Sequence, residues 1–455
     1  MQMIDEVISY INKKVAITLI NGKERNGTIT GIDTESNSIK LKDENGHQAS
    51  LLISMIGNPE DFIPADNKYA TYAESAEVKE DDMFFGRETI INNIYNVVCN
   101  NYKSFVFYGQ KRAGKSSILY HLEKKLRSND KVLVANIGNI GGVIDENSQA
   151  PLLYQMLFEI LNKIKYAIED KEYDGATSVG IVFPTDIELY AHPSPLQYFR
   201  SILQEFKRKA SRIEDWKDVR TVLLIDEFTY IYHLIVSKRL SNDFMINWKA
   251  LLQENYFSVV LVAQDFYPKF KALDANAFQT MQSDRVSYLA EAEAKSLIDK
   301  PIWINGESRY AEKAIDRIYE LTAGSPFYIQ IFCDKLVEYV NEDKVIKITE
   351  ANVNKVLKEK MMKLDIGVFD NLINDGDTSP DAIKKEDSEA ILREVAKHTN
   401  NQPYCNKSQI NHPNSPIIHD VLKNLVEREV LEINRDGLYR IRVGLFKDWL
   451  NENPL

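Results

Sequence analysis

The chain has 455 residues, 44% hydrophobic and 27% charged; that is the profile of a globular protein too long for one ordinary core and divided into roughly two to four domains. A formal net charge of −11 excludes a protein that coats nucleic acid through bulk charge, although local basic patches stay open. No apolar run approaches membrane-spanning length, the start at Met1 lacks a basic segment followed by an apolar one, and Cys99, Cys333 and Cys405 lie far apart, so reduced thiols in a cytoplasmic protein without membrane association are expected rather than a disulfide framework or zinc site.

Residues 1–62 read as a small, strongly curved β-barrel. A short helix, Ile4 to Ile11, precedes the strand Val15 to Ile20, the hairpin turn Asn21-Gly22, and glycine-interrupted strands over Gly27 to Asp33 and Ser38 to Lys42. Gly27, Gly31, Asp33 and Asn37 fall on the Gly-x3-Gly-x-Asp-x3-Asn motif, and in this the segment resembles an Sm-like domain. The resemblance implies that Asp33 and Asn37 line an RNA base pocket in a ring of subunits. Read from the residues alone, they serve only as turn formers. The second motif departs, since Leu52 to Pro59 carries no arginine where the family has Ile-Arg-Gly. Residues 63–82, acidic and polar, are expected to be a linker.

Residues 83–290 carry the chemistry. An apolar run, Ser104 to Tyr108, reads as a buried strand, and Ser117 to Leu126 as a helix. Between them stands Gly109-Gln-Lys-Arg-Ala-Gly114-Lys115-Ser116, the Gly-x4-Gly-Lys-Ser spacing that cradles a nucleoside triphosphate. Its glycines let backbone N–H groups turn toward phosphates, Lys115 reaches the outer phosphates, and the Ser116 hydroxyl suits Mg2+. Lys131 to Ile137, Thr221 to Ile225 and Ser258 to Ala263 are further continuous apolar runs, as a parallel sheet covered on both faces requires. The second of these ends in Asp226 and Glu227. Downstream of a phosphate loop the pair reads as a metal-holding acid, Asp226, and a water-activating acid, Glu227. Gln264, at the tip of the third, either contacts the γ-phosphate or attacking water, or simply caps a strand.

Flanking motifs carry a second resemblance. Phe84-Phe85-Gly86-Arg87-Glu88 is similar to the Phe-x-Gly-Arg-Glu entry segment of STAND-type NTPases and their AAA+ relatives. Gln110-Lys111-Arg112-Ala113-Gly114-Lys115-Ser116-Ser117 resembles the prokaryotic STAND form of the phosphate loop, and Gly324-Ser325-Pro326 resembles the Gly-x-Pro start of a lid helix. The resemblance implies that Gly86 and Arg87 lie against adenine and that Arg112, Ala113 and Ser117 join Gly109, Gly114, Lys115 and Ser116 around the phosphates. It also implies that Pro326 touches the base. Ser283 to Leu289 is similar to the last core strand of these proteins, with Arg285 either a phosphate-sensing arginine, acting in its own subunit or a neighbour's, or a surface residue. The Met-His-Asp triplet of many STAND proteins is missing; Tyr439-Arg440-Ile441-Arg442-Val443 stands in its place.

Residues 291–366 turn helical, with Ala314, Ile315, Ile318 and Leu321 on one face and Phe327, Ile331, Leu336 and Val340 on another, the pattern of a helical lid. Residues 367–385 are poor in apolar side chains and are expected to be a linker. Residues 386–455 read as a winged helix: a helix Ser388 to His398, a second from Ser415-Pro416 to Arg428 that buries Ile418, Val421, Leu422 and Val426, and a hairpin turning at Asp436-Gly437. The second helix offers His419, Asp420, Lys423, Asn424 and Glu427 outward. That mixed face suits a regulatory domain packed on the NTPase better than a reader of DNA.

The expected fold is therefore multi-domain α/β: a parallel-sheet P-loop core with helical lid, an N-terminal Sm-like barrel and a C-terminal winged helix. The expected function is an ATP- and Mg2+-dependent STAND-like switch, with ATP favoured because no Asn-Lys-x-Asp guanine-reading segment is apparent. The resemblance implies assembly into a homo-oligomer on activation, a separate trigger or effector protein, and roles in signalling or prokaryotic antiviral defence. Two rivals stay open: an AAA+ machine acting on DNA through the winged helix, and a non-catalytic module binding RNA through the Sm-like domain.

Overall fold

A computed structural model describes residues 8, 10–19, 23–34, 36, 38–56, 63–73, 77–100, 103–145, 147–148, 150–241 and 243–454. The expected helix Ile4 to Ile11, the Asn21-Gly22 turn, Asn37 and the Gly57 to Pro59 segment fall largely or wholly outside these. The chain forms two compact units, one of Met1–Gly86, Tyr288–Ile373 and Glu386–Leu455, the other of Arg87–Ser287 and Asn374–Lys385.

The first unit opens with an antiparallel sheet in the order β1 (Lys14–Thr18), β2 (Glu24–Asp33), β3 (Ser38–Lys42), β4 (Gln48–Leu52). Alternation puts Ile17, Ile29, Ile39, Leu41 and Leu51 on one buried face. The sheet curls because β2 slips register between Ile29 and Gly31, and a bridge from Leu19 to Ile56 joins its two ends. Gly27 is fixed by close approach: a Cβ there would stand 2.6 Å from the Lys42 carbonyl oxygen. Residues 63–73, expected to be part of a linker, are instead tied down. Tyr69 is fully buried and donates to the carbonyls of Leu297 and Ile298, and the Asn341 amide bonds both backbone groups of Ala65.

The second unit is built on a parallel sheet of five strands: β5 (Phe105–Gly109), β6 (Val132–Asn139), β7 (Arg220–Asp226), β8 (Phe257–Gln264) and β9 (Gln282–Arg285), in spatial order β6-β7-β8-β5-β9. Val222 to Ile225 and Val259 to Val262 are wholly buried, because helices cover both faces of these central strands. The order inserts β8 between the strand before the phosphate loop and the strand that ends in the acid pair. Their C-terminal tips are neighbours, which is where ligands bind in an open α/β sheet. The last strand is shorter than expected, ending at Arg285.

In the first unit the helices Glu291–Asp299, Glu312–Thr322, Pro326–Glu342 and Glu350–Glu359 pack around Ala314, Ile318, Leu321, Ile331, Leu336 and Val340. The helix Pro326–Glu342 starts where sequence places it. Ala323 and Gly324 take left-handed φ of 52° and 78°, Pro326 takes the first turn, and a Cβ on Gly324 would lie 2.5 Å from the Leu289 carbonyl oxygen. Gly86 is as constrained, with φ 70° and its would-be Cβ 2.4 Å from the Glu293 side chain.

The C-terminal part of this unit holds the helices Lys385–His398, Ile418–Glu427 and Gly444–Glu452 and the hairpin β10 (Leu431–Ile433), β11 (Tyr439–Ile441), to which Cys405 adds an antiparallel bridge. Gly437, at φ 76°, makes the turn. Leu425 rather than Val426 completes the buried face of Ile418–Glu427, since a 3.6-residue period from Ile418 and Val421 reaches Leu425 first.

Candidate functional site: a phosphate loop facing an acid pair

Between β5 and the helix Lys115–Arg127 the backbone turns through left-handed conformations at Arg112 (φ 68°) and Gly114 (φ 86°). The second suits glycine; the first is adopted by a residue with a Cβ and carries local strain. Gly109 admits no side chain because a Cβ would lie 2.4 Å from the Val286 carbonyl oxygen. Lys115 is 7% exposed and donates to the carbonyls of Gly109 at 2.9 Å and Gln110 at 2.7 Å. Burial lowers its pKa, while the charges of Glu227, Asp265 and Asp226 oppose that shift. Arg87 braces the loop from behind, donating to the carbonyls of Ala113 at 3.3 Å and Ser287 at 2.7 Å. Ala113 is buried in the turn and Ser117 in the first turn of the helix that follows it.

At the tip of β7 the two carboxylates diverge. Asp226 Oδ2 accepts from the Ser116 hydroxyl at 3.3 Å, and its Oδ1 accepts from the Glu227 backbone N–H at 2.8 Å. Glu227 has a left-handed φ of 54°, and its Oε2 accepts from the Gln264 amide at 2.6 Å. One acid thus faces the phosphate loop and the next faces the tip of β8. Burial raises the Asp226 pKa; the hydrogen bond from Glu227 N–H opposes the shift and the Glu227 charge adds to it.

Gln264 is therefore engaged with the acid pair rather than serving only as a strand cap. Arg285 is paired within its own chain, donating to Asp265 at 2.8 Å, with the Asp265 side chain almost wholly enclosed. Asp265 is not singled out by sequence. Asp265 directly follows Gln264, and that adjacency was the available signal. Gly86 and Pro326 belong to the first unit, where each sits at the strict backbone position described above.

The arrangement fits a magnesium-bound triphosphate. It offers hard oxygen donors at Ser116 and Asp226, a buried lysine beside the loop, and helix N-terminal N–H groups behind Gly114. Among the described residues no group of three or more His, Cys, Asp and Glu side chains can hold a metal alone. Among the described residues no helix is long and apolar enough to cross a membrane.

A family profile described as Novel STAND NTPase 1 matches residues 74–326, more than half of the chain. No curated protein matches the chain. A Walker-type ATPase of Pyrococcus abyssi is similar in fold, with TM-score 0.51 and 12% identity over 83% of this chain and 99% of that one. Drosophila ORC bound to DNA aligns at TM-score 0.41 and 13% identity, covering 86% and 93% of the two chains. Cdc6p of Pyrobaculum aerophilum aligns at TM-score 0.36 and 12% identity, covering 83% and 98%.

Proposed function

Because this chain belongs to the novel STAND NTPase 1 family, we propose that it is an ATP-hydrolysing switch whose nucleotide lies along Gly109 to Ser117. The observation that carries this reading is the pairing of Ser116 with Asp226 at 3.3 Å beside a Glu227 held by Gln264 at 2.6 Å. Mg2+, when bound, neutralises phosphate charge and aligns the reacting groups. Ser116 and Asp226 would hold it with their side-chain oxygens. Lys115 leaves the Gly109 and Gln110 carbonyls for the outer phosphates. Glu227 orients water and accepts its proton, and Gln264 fixes the Glu227 carboxylate. Arg285 acts in this reading by holding Asp265 and hence the β8 tip. Arg87, within the second unit, serves the base side, as the STAND resemblance implies.

The curled N-terminal sheet is assigned as an Sm-like barrel. Asp33 accepts from the Ser36 backbone N–H at 3.1 Å, which supports its turn-forming role over an RNA pocket. The C-terminal helices and hairpin are assigned as a winged helix. His419, Asp420, Lys423 and Glu427 are exposed on it with both charge signs, which supports regulation over DNA reading. In place of a Met-His-Asp triplet, Arg440 pairs with Glu432 and Arg442 with Glu429, so this hairpin is braced internally. Assembly on activation and a partner effector in defence or signalling complete the proposal.

Turnover of ATP and GTP with Mg2+ and with chelator tests it. Mg2+-dependent ATP turnover is expected; absence of turnover under every condition, extract and nucleic acid included, would favour a non-catalytic module.

A further inference from the structure

We propose that Asn374–Lys385 is a displaceable strap across the phosphate side of the second unit, an autoinhibitory contact that a nucleoside triphosphate lifts and a diphosphate leaves closed. The inference rests on the nucleotide-binding reading above. These residues, polar enough to be expected as linker, belong to the second unit although the chain on either side belongs to the first. Asp377 has a fully enclosed side chain, paired with Lys269 at 2.6 Å. Burial alone would lower the Lys269 pKa; the hydrogen bond and charge of Asp377 outweigh it, and the net shift is upward. Thr378 Oγ1 and His233 Nδ1 stand 2.7 Å apart.

Gly376 places the strap at the site itself. Its would-be Cβ lies 3.3 Å from Gln264 Oε1 and 3.5 Å from Lys111 Nζ. Gln264 is the residue that holds Glu227, and Lys111 is part of the phosphate loop. The strap therefore sets acidic chain where a γ-phosphate and attacking water are required. A triphosphate brings several negative charges to the phosphate loop beside Lys111 and repels the acidic residues Asp375 and Asp377 that flank Gly376. The closed contact is also imperfect: Gln264 Oε1 is buried with no hydrogen-bond partner among the described residues, which favours release.

Release has a route outward. Arg428, 3% exposed, donates to the carbonyls of Asn371 at 2.9 Å and Leu372 at 3.3 Å, the residues just before the strap. On its other side the strap runs directly into the helix Lys385–His398. Both ends are thus anchored in the C-terminal domain.

Hydrogen exchange of 374–385 in the full chain, with a non-hydrolysable ATP analogue and with ADP, tests the strap. Exchange is expected to quicken about tenfold or more with the analogue and to stay slow with ADP. D377N and, separately, T378V are expected to tighten analogue binding about fivefold to twentyfold with ADP affinity little changed. Analogue binding with the strap still protected, or equal effects on both nucleotides, would overturn the strap alone. If no nucleotide binds to wild type or variants, the nucleotide reading falls and takes the strap with it.

Discussion

Glu227 and Asp226 are adjacent in sequence but have separate hydrogen-bond partners, and their separation is a backbone event. The left-handed φ of Glu227 turns one carboxylate to Gln264 while its neighbour stays with Ser116. E227Q is expected to lower steady ATP turnover by about 10²–10⁴-fold, the contribution of a positioned general base, with nucleotide still bound; steady-state kinetics beside equilibrium binding of a fluorescent analogue checks this. Asp226 makes a second prediction. Its folded pKa lies above the ordinary carboxylate value because the charged form is buried. Its contribution to stability is full below the unfolded pKa and is lost as pH rises through the folded one. D226N therefore raises the Tm of nucleotide-free protein at neutral pH, while abolishing Mg2+-dependent turnover. The gain shrinks as pH falls toward the carboxylate range, and thermal melts across pH 4–8 measure it.

Among elements, the junction at Leu289 to Pro326 is closely constrained. Gly324 combines a φ of 78° with a carbonyl 2.5 Å from any added Cβ. G324A is expected to destabilise by about 2–4 kcal/mol, from left-handed strain and overpacking together, visible as a lowered denaturation midpoint. Sequence made this turn legible because glycine followed by Ser-Pro signals a stop and a restart. The same logic exposed β5, β7 and β8, whose unbroken apolar runs admit little but buried strands. The helix Ile418–Glu427 was read one residue off on its buried face because Val426 is as apolar as Leu425, and only neighbours discriminate between them.

At the scale of the whole molecule, the chain passes from one unit to the other four times, after Gly86, Ser287, Ile373 and Lys385. Such interleaving ties the nucleotide unit to both flanking domains covalently. Under the proposed switch, E227Q held with ATP is expected to elute as a larger species than the same protein with ADP. Light scattering coupled to size exclusion measures the difference, and identical masses in both states would argue against nucleotide-driven assembly.

Sequence alone determined the phosphate loop, the acid pair and the strands that carry them, since glycine spacing and long apolar runs have few physical alternatives. It could not rank Gln264, or find Asp265 and Lys269, because single polar residues take their role from partners distant in the chain. Tertiary structure decided those pairings. It also decided that 63–73 and 374–385 are packed rather than free: a polar composition forbids a core of one's own but does not prevent a segment from being held by hydrogen bonds and an ion pair such as Lys269 with Asp377.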